Sequence, residues 1–189
     1  MGITIGVLSL KGGVGKTSVV SALGDALSGF GRKVLLIDGN LSAPNLGLHL
    51  NIIDPEVTIQ HVLERKANAY KAICKLENFD VIPASIYRKP GNPLKLSNRI
   101  GTLKNKYDVV LIDSSPALNE ETLGVVLASD GLIAVATPDY PTLRTTVKAI
   151  KMAKRRGAPV IGLVLNKVHD KNFEMDIGEI EEMAEVPVM

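Results

Sequence analysis

The 189-residue sequence contains a single cysteine, Cys74. One cysteine excludes an intramolecular disulfide and argues against a zinc or iron–sulfur site built from cysteines within one subunit, so a reducing cytoplasm is the natural home. No apolar run approaches the roughly 18 residues that a membrane-spanning helix needs. A secretory leader is missing too: Met1-Gly2 runs straight into the apolar stretch 3–8, without a basic region or cleavage site. Gly6 stands where a myristoylation signal would place serine or threonine. Charge of one sign is not in excess, with 22 Lys and Arg against 20 Asp and Glu, which excludes a polybasic nucleic-acid binder or a disordered chain on composition alone. No linker, repeat or low-complexity segment interrupts the chain. With 46% hydrophobic residues it is long enough to bury about two-thirds of its unfolded surface, and one domain over residues 1–189 is expected.

What the chain does have is an alternation of short apolar runs and longer helical stretches. Residues 3–8 are followed by a helical pattern at 17–28, residues 33–37 by a loop, and residues 108–112 by a helical pattern at 119–128. Residues 132–136 and 160–165 are again strand-like, separated by an amphipathic helix at 142–156 and followed by a helix at 174–185. Continuous apolar strands of this kind predict a mainly parallel twisted sheet with helices on both faces, an α/β fold. Between 50 and 106 the pattern is less regular, reading as a helix at 58–65, a strand at 79–82, a polar loop at 85–93 and a helix at 94–103. Val186-Pro187-Val188-Met189 looks like the opening of a further strand, so the domain is expected to be truncated at its C-terminus.

The first strand leads into Lys11-Gly12-Gly13-Val14-Gly15-Lys16-Thr17. A strict G-x-x-x-x-G-K-[ST] motif fails because Leu10 occupies the first glycine position, but Gly15, Lys16 and Thr17 fit. A glycine-rich turn opening a helix gathers backbone N–H groups around one point, which favours a phosphate chain. Lys16 is expected to reach the β and γ phosphates, Thr17 to ligate Mg²⁺ and Ser18 to contact the α phosphate. Val109-Val110-Leu111-Ile112-Asp113 ends an apolar strand in a carboxylate, as holding Mg²⁺ or its water requires; a strand-end turn former is the plainer alternative for Asp113.

Lys11 to Thr17, Asp38 followed by Asn45-Leu46-Gly47-Leu48, Asp113-Ser114-Ser115-Pro116 and Leu165-Asn166-Lys167 together resemble the deviant Walker ATPases of the MinD/ParA family, nearest the MinD branch. The resemblance spans nearly the whole chain and implies a P-loop NTPase fold, ATP and ADP as ligands, Mg²⁺, and a sandwich homodimer when ATP is bound. It implies that Lys11 reaches the partner's phosphates, that Asp38 lies near Mg²⁺ and its waters, and that Asn166 contacts adenine; a turn-forming Asn after a strand is the alternative there. Where the family usually carries Asp-x-Asp, this chain reads Asp38-Gly39-Asn40. An amide can hydrogen-bond the attacking water but cannot act as a base. Because phosphoryl transfer depends chiefly on positioning, hydrolysis is expected to be slow, or ATP to lock a stable dimer.

Arg144, Lys148, Lys151 and Arg155 follow i, i+4, i+7, i+11 spacing and share one face of the 142–156 helix. That face suits DNA phosphates or acidic lipid headgroups, or it is an ordinary solvated surface. The resemblance further implies a protein activator and a recruiting surface: the inner membrane face, through an amphipathic segment absent from these residues, or DNA in a ParA-like variant. Cluster-carrying relatives of the fold need cysteines that Cys74 alone does not supply. A non-hydrolysing, nucleotide-dependent scaffold is a further class consistent with Asn40.

Overall fold

In the computed structural model, which describes residues 2–169 and 171–189, the apolar runs form one seven-stranded sheet. Its strands are β1 (Ile3–Leu8), β2 (Val34–Asp38), β3 (Cys74–Lys75), β4 (Asp80–Ile82), β5 (Val109–Asp113), β6 (Gly131–Ala136) and β7 (Val160–Leu165). They lie in the order β3-β4-β2-β5-β1-β6-β7, every pair parallel except β3 with β4. Among the described residues seven α-helices surround the sheet: α1 (Lys16–Gly29), α2 (Leu46–His49), α3 (Ile59–Leu63), α4 (Leu96–Ile100), α5 (Glu120–Ala128), α6 (Tyr140–Arg155) and α7 (Ile177–Ala184).

The pleat sorts each apolar run into two layers. Val7, Leu36 and Leu111 pack on the α1 side with Val20 and Leu23, whereas Leu35, Ile37, Val110 and Ile112 pack on the opposite side with Val125 and Leu96. Burial on both faces is why β2, β5 and β6 read as unbroken apolar runs. A third cluster joins α6 and α7 to β6 and β7 through Leu143, Ile150, Leu163 and Ile180. The register sets Asp38 opposite Asp113 and Val7 opposite Asp113, so two carboxylates end neighbouring strands at the level where β1 enters the glycine-rich loop.

Three readings of the sequence change in detail, and one strand, β3, is added. The helix expected at 94–103 is broken into a 3-10 turn (Pro93–Lys95), α4 and a second 3-10 turn (Gly101–Asn105), because Pro93 opens the first turn and Gly101 ends α4. The loop after β2 contains the short helix α2. α7 starts at Ile177 rather than 174, where the Asp176 side chain accepts from Gly178 N and Glu179 completes a capping box. β3, two residues long, is too short to leave a periodic signal. The strand-like ending does take shape: Val188 bridges to Leu163 in parallel, with Leu163 N donating to Pro187 O at 2.8 Å and Met189 N to Leu163 O at 2.9 Å. Among the described residues no helix is long and apolar enough to cross a membrane.

Candidate nucleotide site

The loop between β1 and α1 turns twice through left-handed glycines, Gly13 at φ 77 and Gly15 at φ 88. The left-handed φ favours glycine at position 15, and a side chain there would also displace the Asn166 amide, whose Nδ2 would lie 2.1 Å from its Cβ. Lys16 and Thr17 then open α1. Thr17 Oγ1 donates to Asp113 Oδ2 at 2.6 Å, and Lys16 Nζ pairs with Asp113 Oδ1. This ion pair lies in the interior, with 8% of the lysine side chain and 1% of the aspartate exposed. Ser18 is exposed on the first turn of α1.

Asp38 is fully buried. Its carboxylate accepts three backbone N–H groups, from Asn40, Asn45 and Leu46, each at 3.1 Å. Burial, and then the neighbouring charge of Asp113, push its pKa up to about 7, while the backbone hydrogen bonds and Lys16 pull the other way. Two neighbouring carboxylates with one lysine, paired to Asp113, leave the site short of positive charge. Thr17, Asp38 and Asp113 are hard oxygen donors suited to Mg²⁺, which binds through one or two carboxylates and completes its shell with water and phosphate. Among the described residues no group of three or more His, Cys, Asp or Glu could hold a metal ion. The loop, Asn40, Asn45 and Pro116 enclose a concavity of about 230 Å³.

Asn40 is buried, and its side-chain Nδ2 donates to Ala43 O, bracing its own loop. Asn166 donates from Nδ2 to Val14 O at 2.7 Å, so it meets the phosphate loop itself. Lys11 reaches the start of α6: its Nζ donates to Thr142 Oγ1 at 2.6 Å and lies 3.5 Å from Asp139 Oδ1. Thr142 Oγ1 in turn donates to Asp139 Oδ2 at 2.7 Å. Burial raises the Asp139 pKa, but hydrogen bonds from Thr137 and Thr142, with the charge of Lys11, hold it at about 2.

Asp139, Thr142, Lys167 and Glu121 were not anticipated as parts of the site. Asp139-Tyr140-Pro141-Thr142 carries a legible helix-start signature, but its contact with Lys11 spans 128 residues of sequence. Glu121, buried in the first turn of α5, accepts from Ser42 Oγ beneath the Asn40–Asn45 loop, and its Oε2 has no partner among the described residues. On α6, Arg144, Lys148, Lys151 and Arg155 are exposed. Lys148, Lys151, Arg155 and Arg156, with Leu118 and Met152, line a concavity of about 450 Å³.

A family model described as an AAA domain matches residues 2–157. An uncharacterized ATP-binding protein of Methanocaldococcus jannaschii is 34% identical over 194 residues, covering 100% of this chain and 73% of its own length. The chain belongs to the MinD/ParA family. Solved structures of that family superpose closely. The cell division ATPase MinD of Pyrococcus furiosus matches at a TM-score of 0.93 and 35% identity, over 100% of this chain and 81% of its own. The septum site-determining protein MinD of Pyrococcus horikoshii, solved in complex with Mg-ADP, matches at 0.92 and 32%, over 100% and 79%. Membership of the MinD/ParA family accounts for the mainly parallel sheet and for a glycine-rich loop that leaves the carboxyl end of β1 beside the ends of β2 and β5.

Proposed function

We propose that this chain is a MinD-like ATPase, slow in turnover, which closes on ATP as a sandwich homodimer and so helps position a cellular structure such as the division site. The observation that carries this reading is the convergence of Lys16, Thr17, Asp38 and Asp113 at one end of the sheet. Thr17, Asp38 and Asp113 would hold Mg²⁺, which supplies positive charge against the β and γ phosphates. Lys16 would leave Asp113 for those phosphates, exchanging one anionic partner for another; abandoning a buried carboxylate with nothing in exchange costs several kcal/mol. Lys11 has a smaller barrier. Its ion pair with Asp139 is half exposed and worth under about 1 kcal/mol, so Lys11 can swing from its own α6 to a partner's phosphates. Beside this face, Pro44, Leu48, Ile52, Ile53, Ile86 and Tyr87 line an apolar groove of about 190 Å³, with Tyr87 84% exposed. Surface of this kind supports association with another chain.

A second reading, a ParA-like DNA-partitioning ATPase, is favoured by the exposed cations of α6. The two readings share nucleotide binding and differ in the recruiting surface: an inner-membrane face, reached through a segment outside these residues, or DNA. Phosphate release measured alone, with DNA and with acidic liposomes separates them. The expected result is Mg²⁺-dependent binding of ADP and ATP, lost in Lys16→Ala, with slow release that one surface accelerates. Binding that survives Lys16→Ala or ignores Mg²⁺ would sink the proposal.

A further inference from the structure

The segment after β7 holds the phosphate loop from outside. Asn166 Nδ2 donates to Val14 O and Lys167 Nζ donates to Gly13 O, both at 2.7 Å. Consecutive residues therefore reach consecutive carbonyls. In an extended strand their side chains would point to opposite sides; Lys167 adopts a left-handed φ of 58, which breaks that alternation. The grip is rooted in the sheet, because Asn166 N donates to Ala136 O at 2.8 Å at the end of β6.

The consequence follows from the geometry of the peptide unit. In a trans peptide the C=O of one residue and the N–H of the next point in opposite directions, and no peptide of the described residues is cis. Holding the Gly13 carbonyl outward fixes the Val14 N–H, and holding the Val14 carbonyl outward fixes the Gly15 N–H. Gly12 and Gly13 are exposed, with no atom within 4 Å of where a Cβ would stand, so packing holds the loop only at Val14, whose side chain is buried in the core, and leaves the Gly13 peptide to the hydrogen bond.

We propose that Asn166 and Lys167 form a clamp that presets the phosphate loop, aiming the Val14 and Gly15 N–H groups inward for phosphate before nucleotide arrives. The proposal rests on the phosphate-binding reading above and deepens it. Lys167 becomes a positioning residue, acting through the loop. Preset donors bind more tightly because less ordering remains to be done on binding.

The test compares wild type, Lys167→Met and Lys167→Arg. The {¹H}–¹⁵N heteronuclear NOE of Val14 and Gly15 is read without nucleotide, and Mg-ADP affinity is read by titration. Lys167 is exposed, so the core is untouched and the melting temperature should hold. Lys167→Met is expected to lower both NOE values and to weaken Mg-ADP about tenfold, the scale of one charge-assisted hydrogen bond. Lys167→Arg, which keeps a cationic donor, should stay near wild type in both. A Lys167→Met protein that matches wild type in both readouts overturns the clamp, as does a Lys167→Arg protein as loose as Lys167→Met. Wild type that binds no Mg-ADP overturns the functional reading instead, and the NOE comparison then decides the clamp alone.

Discussion

The resemblance leads one to expect an acid at position 40, where this chain carries Asn40, and the structure has its amide N–H bracing Ala43 O. Aspartate there would set a carboxylate oxygen against that carbonyl. Asn40→Asp is therefore expected to do two things together: raise phosphate release by restoring a base near the attacking water, and lower stability by about 1–3 kcal/mol through the lost hydrogen bond and new repulsion. Phosphate release and thermal melting measured on the same preparation check both. A variant that melts earlier but turns over no faster would show that Asn40 is only a loop brace. The departure at Asn40 was legible in the sequence because it breaks a pattern. Its contact was not, since a bond to the third residue on depends on the shape of the loop. Lys11 has the same limit: its place in the motif is local, and its partner at Asp139 is brought near only by folding.

Among the elements, the strands were the most legible, because burial on both faces of a parallel sheet leaves unbroken apolar runs in β2, β5 and β6. The stretch at 93–105 was least so. Pro93 reads as the end of the preceding loop and the helical reading runs on across Gly101, and only packing shows why the break is kept. A Cβ at Gly124 of α5 would stand 2.4 Å from Pro93 O, so the first 3-10 turn is pressed against α5. Gly124→Ala should thus destabilise although alanine is the better helix former: propensity gains up to about 1 kcal/mol, and overpacking against backbone loses about 1–3. Denaturant midpoints decide the sign, and a stabilised variant would contradict this packing. The four residues of α2 were illegible for another reason. Their start is held by Asp38, whose carboxylate takes the backbone N–H groups of Asn45 and Leu46 from the end of β2.

At the scale of the whole molecule, the order of the strands was not readable from the sequence, and it is this order that brings Asp38 against Asp113. Burial of Asp38, and then the charge of Asp113 beside it, make stability depend on pH. Asp38 titrates near 3.8 in the unfolded chain and near 7 in the folded one. Between those values the folded state holds a proton that the unfolded state has released, so this contribution is full below about pH 4 and is lost as pH rises towards 7. Nucleotide-free protein is expected to lose stability across that window in chemical denaturation, and Asp38→Asn should flatten the slope whatever its own stability; an unchanged slope would place the titration elsewhere. The two neighbouring carboxylates also favour Mg²⁺ with a triphosphate. Light scattering after size exclusion, with Mg-ADP and then Mg-ATP, tests the central claim most directly. The account predicts a monomer with ADP, a dimer with ATP, and a monomer in both for Lys11→Ala; a wild-type chain of the same mass with either nucleotide, or an ATP dimer that survives Lys11→Ala, would contradict it.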